Sequence, residues 1–265
     1  MDTINPYIKV GYTVDDKPEF KKVRDFIVSE GYSTENFDHN MKSLMFGQKP
    51  SASKFAGFCE YDPFLNRING EAEGDNFIHE LLHMASNIED RRYEIGTMCI
   101  DGTGESLNEG MTEYLTMLVT QNSQDSYPFE VYYFGFLTEM FFELRKKMIA
   151  KYFEGDPIEF YKLFGEKRKV VIQSVRQLDK FTAEIKQRAA EYDGESLYMN
   201  PSDTMKDHLV NAFAILIKDF LVTNRSYAID LLADFEDEIY TKFDPDTAGE
   251  MVALFEDRIE IDKEL

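Results

Sequence analysis

Residues 75–86 of the chain read DNFIHELLHMAS, and within this stretch His79 and His83 are separated by three residues. The apolar residues recur at helical spacing and Asp75 is a candidate N-cap, so the stretch predicts an α-helix. Residues i and i+4 of a helix lie one above the other, so both imidazoles would project from the same face. The whole chain has only four histidines, and two of them fall within this single turn.

The pattern His-Glu-x-x-His at residues 79–83 is typical of a zinc site. Two imidazoles one helical turn apart can bind one tetrahedral ion, and the carboxylate of Glu80 would then lie beside it. A carboxylate in that place can take a proton from the attacking water. We therefore expect Zn²⁺ as the cofactor, with His79 and His83 as ligands and Glu80 as the general base. The alternative is a surface helix that carries two exposed histidines.

A catalytic zinc ion has three protein ligands and one open position, so one ligand is still missing. Residues 107–114 read LNEGMTEY and predict the start of a second helix, with Glu109 and Glu113 one turn apart on the same face. Glu109 is the candidate third ligand. Glu113 would lie behind it and accept the second ring N–H of a ligating histidine. In the alternative, Ser106 and Glu109 form a capping box and Glu109 has no chemical role.

The two segments together resemble the gluzincins, a family of zinc peptidases that includes thermolysin and the large aminopeptidases. The resemblance is carried by HELLHMAS at residues 79–86 and by NEGMTE at residues 108–113, and it covers roughly residues 55–120. It implies a zincin-like catalytic domain in which Glu109 is the third zinc ligand. Glu113 stands where thermolysin has an aspartate. The resemblance also implies that residues 55–61 form a strand along the cleft that pairs with the extended substrate, although an ordinary buried strand is the alternative.

Gluzincins usually add a tyrosine or histidine that stabilises the oxyanion of the tetrahedral intermediate. His208 and Tyr198 are the candidates here, because the family often places this residue late in the chain. The Gly-x-Met-Glu-Asn motif that anchors substrates of gluzincin aminopeptidases is not found in the sequence. The expected activity is therefore hydrolysis of internal peptide bonds in a peptide or protein substrate.

Three other interpretations remain open at this point. The first is a metzincin protease, whose third ligand lies six residues after the second histidine, at Glu89; Ser86 occupies the place where that family has a glycine, and Met199 is weak support for its Met-turn. The second is a protein that binds zinc without catalysis. The third is a helical interaction protein that binds no metal.

Length and composition predict a folded domain of the α+β class that is mainly helical. With 265 residues, 43% of them hydrophobic, the chain can bury a substantial core. We expect one catalytic unit with two lobes. Residues 1–104 would form an N-terminal lobe with a small mixed sheet and the histidine helix, and residues 105–265 would form a helical C-terminal lobe that carries the third ligand.

The formal net charge of −21 disfavours binding to nucleic acid or to an anionic membrane, because both would be repelled. The first residues are immediately polar and show no signal peptide, so a cytoplasmic location is expected, with leaderless secretion as the alternative. The two cysteines, Cys59 and Cys99, do not suggest a disulfide framework, and a single disulfide between them is the alternative.

Local patterns predict the remaining elements. Strand composition is found at residues 7–14 and 93–100, and residues 55–61 and 66–69 flank an Asp62-Pro63 turn typical of a hairpin. Helical periodicity predicts helices over residues 18–30, from Pro128 onwards, and near 157–165, 168–192, 202–223, 226–241 and 246–258.

Overall fold

The computed structural model describes residues 12–47, 59–91, 94–122, 126–191 and 201–259. In these residues the protein is mainly helical, with one small mixed sheet, as the sequence predicts. By packing, the chain divides into two compact units, residues 1–163 and 164–265. The division therefore falls well after residue 104, where the sequence had suggested the end of the first lobe. The reason is that the helix after residue 104 packs directly on the histidine helix and belongs to the same core.

The first unit holds the sheet and seven α-helices among the described residues. Its strands are β1 Met45–Gly47, β2 Cys59–Asp62 and β3 Arg67–Gly70. Its helices are α1 Pro18–Ser29, α2 Glu35–Met41, α3 Gly74–Ala85, α4 Glu105–Thr120, α5 Pro128–Met140, α6 Arg145–Glu154 and α7 Pro157–Lys162.

The sheet has the order β1-β3-β2, so β2 lies at one edge of the described sheet. Strands β2 and β3 are antiparallel, with Tyr61 opposite Ile68, and β1 runs parallel to β3. The predicted hairpin is thus confirmed for its described part, whereas residues 55–58 lie outside the described residues. Edge strand β2 packs on α3, which places the sheet beside the two histidines.

Helix α3 lies at the centre of the first unit. It packs against α1, α2, α4 and β2, and this is why both its apolar residues and its histidines are buried. His79 is 6% exposed and His83 is 8% exposed, which excludes a surface helix with exposed histidines. The N-cap is Glu73, without a side-chain cap bond, so the prediction of Asp75 as N-cap was wrong. Asp75 instead accepts a hydrogen bond from Asn122 at 2.6 Å.

Aromatic side chains join α1, β1 and α3 near the start of the unit. The rings of Phe20, Phe46 and Phe77 lie with centroids 5.7 to 6.5 Å apart. Lys17 lies beside this cluster. Its ammonium group is 5.5 Å from the centroid of the Phe77 ring and donates a hydrogen bond to the carbonyl of Ala72 at 2.8 Å. The cluster anchors the segment that leads into α3.

Two strand predictions are not confirmed. Residues 94–100 form turns and isolated bridges at Asn87–Ile95 and Ile95–Met98 instead of a strand, because this connection folds back on itself. In the first predicted strand, Tyr12–Val14 has no strand conformation, and residues 7–11 lie outside the described part.

The second unit contains four α-helices in its described residues: α8 Arg168–Glu191, α9 Asp203–Thr223, α10 Arg225–Lys242 and α11 Pro245–Ile259. Helix α9 packs against the other three. At their junction, the ring of Phe235 lies 4.8 Å from that of Phe213 and 4.2 Å from that of Phe255, centroid to centroid. These helices agree with the sequence prediction to within a few residues at each end.

Two further findings concern the environment of the chain. In the part of the protein that the structure describes, no helix combines the length and the apolar character needed to cross a membrane. Cys59 and Cys99 are both free thiols. The single disulfide that the sequence left open is therefore not formed.

Helix α5 approaches α4 closely at Gly110, and this contact gives a test of the fold. A Cβ atom at Gly110 would lie 2.2 Å from the backbone oxygen of Glu130, whereas one at Gly135, within α5, would meet nothing within 4 Å. We expect Gly110→Ala to lower the free energy of unfolding by about 1–3 kcal/mol through overpacking. Gly135→Ala, the matched control, should raise it by about 0.5–1 kcal/mol. Urea unfolding monitored by circular dichroism measures both, and equal effects would contradict the close approach.

Candidate metal centre

Three possible metal ligands converge where α3 packs on α4. The Nε2 atoms of His79 and His83 lie 3.0 Å apart, and Oε2 of Glu109 lies 3.2 Å from the first and 3.3 Å from the second. All three side chains are largely buried, the Glu109 side chain being 17% exposed. Among the described residues, this is the group of three that could hold a metal ion.

The spacing of these three atoms fits zinc. A tetrahedral zinc ion with bonds of about 2.0–2.1 Å holds its ligand atoms about 3.3–3.4 Å apart. The observed separations of 3.0, 3.2 and 3.3 Å are close to that value. Two imidazoles and one carboxylate are also the ligand set of many catalytic zinc sites, which leave a fourth position open.

The charges of the cluster are strongly coupled. Burial by itself lowers the pKa of His79, but its hydrogen bonds with Glu109 and Glu113 raise that pKa to about 10. Burial would raise the pKa of Glu109, yet the charges and hydrogen bonds of His83 and His79 hold it well below its usual value. The imidazoles and the Glu109 carboxylate thus stabilise one another's charges, and a divalent cation would compete with protons for the same atoms.

Glu113 lies behind the cluster, as the sequence predicts. Its Oε2 atom is 2.9 Å from Nδ1 of His79, and the side chain is only 4% exposed. A carboxylate in this position accepts the Nδ1–H of the imidazole and leaves Nε2 free for a metal. The other oxygen, Oε1, accepts the backbone N–H of Ser126 at 3.3 Å, which ties the connection between α4 and α5 to the site.

Glu80 faces the sheet from α3. Its Oε2 atom accepts a hydrogen bond from the backbone N–H of Tyr61 at 2.8 Å. Burial raises the pKa of the Glu80 carboxyl, and the nearby charges of His79 and His83 oppose that rise. The carboxylate is therefore held by the edge strand beside the histidines, in the place expected of a general base.

Tyr127 is a site residue that sequence reasoning missed. Its ring stacks on that of His79, with centroids 5.7 Å apart and an interplanar angle of 20°. Its hydroxyl forms a hydrogen bond with Glu109, whose charge, together with burial, raises the pKa of the phenol. The residue comes directly before α5 and matches no short motif. The one signal in the sequence is the proline that follows, Pro128, which marks Tyr127 as the residue before a helix.

The other candidate residues lie in different surroundings. Glu89 forms a 2.7 Å contact with Nε2 of His39, and both side chains are about half exposed. His208 belongs to α9 of the second unit, where its Nδ1 atom lies 3.1 Å from Oε1 of Gln177. Tyr198 and Met199 lie outside the described residues.

The capping box that the sequence leaves open as an alternative is not formed. Helix α4 begins at Glu105 after Gly104, which has a φ of 94° and is the N-cap. Ser106 therefore lies inside the helix and not at its cap. The carboxylate of Glu109 points to the histidines, so the alternative in which it only caps the helix does not describe this structure.

Comparison of the chain with protein-family models, with curated proteins and with solved structures finds no match in any of the three. The functional argument therefore depends on the residues of the site and their geometry.

The role of Glu109 can be tested by metal analysis of protein purified without a metal-affinity tag. We expect one equivalent of zinc in the wild type and at least a tenfold weaker affinity in Glu109→Ala, because a first ligand is lost. Glu89→Ala is the matched control and should keep its zinc. Loss of zinc from Glu89→Ala, with zinc retained in Glu109→Ala, would reverse the assignment and support the metzincin arrangement.

Proposed function

We propose that the protein is a zinc-dependent peptidase that hydrolyses internal peptide bonds. One observation carries this proposal: the imidazoles of His79 and His83 and the carboxylate of Glu109 converge at zinc spacing, and the carboxylate of Glu80 is held beside them. A site that only stabilises the fold needs four closed ligands and no neighbouring base. The present group has three ligands and such a base.

His79, His83 and Glu109 would hold the ion. When bound there, zinc supplies Lewis-acid polarisation of the scissile carbonyl and lowers the pKa of a water molecule. Glu80 takes the proton from the attacking water and then delivers it to the nitrogen of the leaving amine. The backbone N–H of Tyr61 holds one oxygen of Glu80 in place, which leaves the other oxygen for this transfer.

Tyr127 is suited to stabilise the oxyanion that forms on the attacked carbonyl. Its phenol lies at the ligand cluster and donates its one hydrogen to Glu109; with the Glu109 carboxylate on the metal, that hydrogen would turn to the oxyanion. Such a donor contributes most when it is fixed before the reaction, and stacking on His79 supplies that fixation. His208 and Tyr198 remain the candidates that the sequence suggested, and Tyr127 joins them on geometric grounds.

Strand β2 is placed to align a peptide. It lies at the edge of the described sheet, and the N–H of Tyr61 faces Glu80 and not β3. An extended peptide that adds to such an edge forms main-chain hydrogen bonds without regard to its sequence. A peptide bound there would run past the general base and the metal ligands. This arrangement agrees with the role that the gluzincin resemblance implies for the strand.

The fold around the site supports a zincin-like identity. A helix carries the two histidines and the base, an edge strand lies beside it, and the next long helix supplies the third ligand and the supporting acid. The metzincin alternative is disfavoured, because Glu89 interacts with His39 while Glu109 joins the histidines. A zinc-binding protein without catalysis remains the second candidate, favoured only if Glu80 proves to have no chemical role.

The role of Glu80 is tested by Glu80→Gln. The variant should bind one equivalent of zinc but lose peptide hydrolysis by at least about a hundredfold, since the amide cannot accept the proton. Digestion of a mixed peptide library, followed by mass spectrometry, measures cleavage. Glu89→Gln, an exposed glutamate, is the control and should cleave at the wild-type rate. A zinc-loaded wild type that cleaves no member of the library would favour the non-catalytic alternative.

The role of Tyr127 is tested by Tyr127→Phe on any peptide that proves to be a substrate. Loss of one oxyanion donor lowers kcat by about 10²–10³-fold. We expect such a fall in kcat at saturating zinc, with KM nearly unchanged, because the ring still stacks on His79. Tyr240→Phe, at an exposed tyrosine of α10, controls for loss of a phenol elsewhere. An unchanged kcat in Tyr127→Phe would show that Tyr127 does not stabilise the oxyanion, and His208 would then be the next candidate to test.

A further inference from the structure

The hydroxyl group of Tyr61 belongs to a buried polar network at the end of α3 that the proposed mechanism does not use. Its oxygen lies 2.9 Å from Oδ1 of Asn66, in the turn between β2 and β3, and 2.8 Å from Nδ2 of Asn87, just after α3. The three residues are at most 9% exposed. A side chain of the edge strand is thus held between the hairpin turn and the histidine helix.

The directions of these hydrogen bonds follow from one backbone carbonyl. The carbonyl of Asn40 can only accept, so the Asn66 atom 2.7 Å from it must be Nδ2, which also donates to Oγ of Ser43 at 2.8 Å. The Asn66 atom that faces Tyr61 is therefore the acceptor Oδ1, and the phenol donates its one hydrogen there. Asn87 must then donate to the phenol oxygen through Nδ2.

Asn40 of α2 joins this network to the backbone at the end of α3. Its Nδ2 donates to the carbonyls of Met84 and Asn87, both at 2.8 Å. Asn66 suits the hairpin turn because its φ is 46°, in the left-handed region that asparagine adopts more readily than most residues. Its carbonyl accepts the N–H of Met45, the first residue of β1, at 3.0 Å. The network therefore connects α2, the sheet and the last turn of α3.

The same tyrosine holds the general base through its backbone. The N–H of Tyr61 donates to Oε2 of Glu80 at 2.8 Å, at the middle of α3. In the described sheet β2 pairs only with β3, so strand pairing holds it from one side. On the other side Tyr61 is attached to α3 by its N–H and, beyond the helix end, to Asn87 by its phenol. Two separated attachments fix the strand along the helix, which one hydrogen bond would not do.

We propose that Asn66 and Asn87 are positioning residues for the general base: by clamping the Tyr61 hydroxyl, they fix the Tyr61 N–H and with it the carboxylate of Glu80. This inference rests on the proposed function. A general base must lie within hydrogen-bond reach of the water that it deprotonates, and a small displacement lowers the rate. The clamp therefore acts on the rate of the chemical step, and substrate binding does not depend on it.

The first test separates kcat from KM on any peptide that proves to be a substrate. Tyr61→Phe removes the hydroxyl but keeps the N–H, and should lower kcat about tenfold, less than the roughly 100-fold cost of a displacement of about 1 Å. KM should not change. Asn87→Ala should have a similar effect, because the phenol loses its donor. The double variant should be no slower than Tyr61→Phe alone, since Asn87 acts only through the hydroxyl.

The second test follows the Tyr61 amide directly and needs no turnover. In protein labelled with ¹⁵N-tyrosine, the 15 tyrosines give the amide signals, and the signal lost in Tyr61→Phe is that of Tyr61. Glu80→Gln should shift this signal, because its acceptor is no longer a carboxylate. Asn87→Ala and Asn66→Gly should each speed its exchange with deuterium by about tenfold, because the strand opens more often. Glycine permits the φ of 46°, so Asn66→Gly removes the amide without backbone strain.

Tyr133→Phe is the matched control for both tests. It removes another buried phenol of the first unit and should leave kcat, KM and the exchange rate of the Tyr61 amide at their wild-type values. Thermal unfolding shows which variants are folded at the assay temperature. The two asparagine variants break the clamp at different ends, so either one that folds is sufficient for the test.

Three results would overturn the inference. The first is a kcat of Tyr61→Phe equal to that of Tyr133→Phe. The second is a loss that falls on KM and not on kcat, which would show that the strand aligns the substrate and not the base. The third is an unchanged exchange rate of the Tyr61 amide in the asparagine variants. Failure of the proposed function is a different result, because zinc-loaded wild type would then cleave no peptide, and the exchange rates alone would decide whether the clamp holds Tyr61 against Glu80.

Discussion

The contact between α3 and α4 is the interaction on which the rest of the first unit depends. It buries two imidazoles against the carboxylates of Glu109 and Glu113, with Glu80 next to them. Burying an unpaired charge is costly, so these groups are tolerated only because each faces a group of opposite charge or a hydrogen-bond donor. The two helices must therefore meet in one register, and elements that pack on them are placed accordingly.

The surrounding elements each complete this contact from a different side. Strand β2 supplies the N–H that holds Glu80, α5 approaches α4 at Gly110 and begins directly after Tyr127, and α6 brings Tyr152 to the hydroxyl of Thr112 behind His83. Gly110 lies where two backbones approach too closely for a side chain, and Gly96 lies where the backbone approaches a ring in the same way. The polar groups around the histidines thus belong to the packing of the core and are not an addition to it.

The same constraint explains why the site is suited to bind a metal. Its ligand atoms are already at zinc spacing and their supporting groups are already hydrogen-bonded, so little rearrangement would be needed to receive an ion. In the described residues the group of possible ligands lies entirely in the first unit. The proposed metal ligands and the general base therefore all belong to the first unit, and the helices of the second unit form a core of their own.

The sequence by itself determined the features that depend on short spacing. Two histidines four residues apart in a helical pattern must share a face, the segment at residues 107–114 had to be a helix with its acids aligned, and most other helices followed from the same 3.6-residue period. The tertiary structure decided which distant groups meet. Glu109, and not Glu89, lies with the histidines, and Tyr127 and Tyr152 lie near them although no sequence motif marks either residue. Asp75 is not the cap of its helix, and residues 94–100 form turns. The physical reason is that helical periodicity is local, whereas contacts between residues 26 to 48 positions apart depend on how the helices pack, which no short pattern in the chain records.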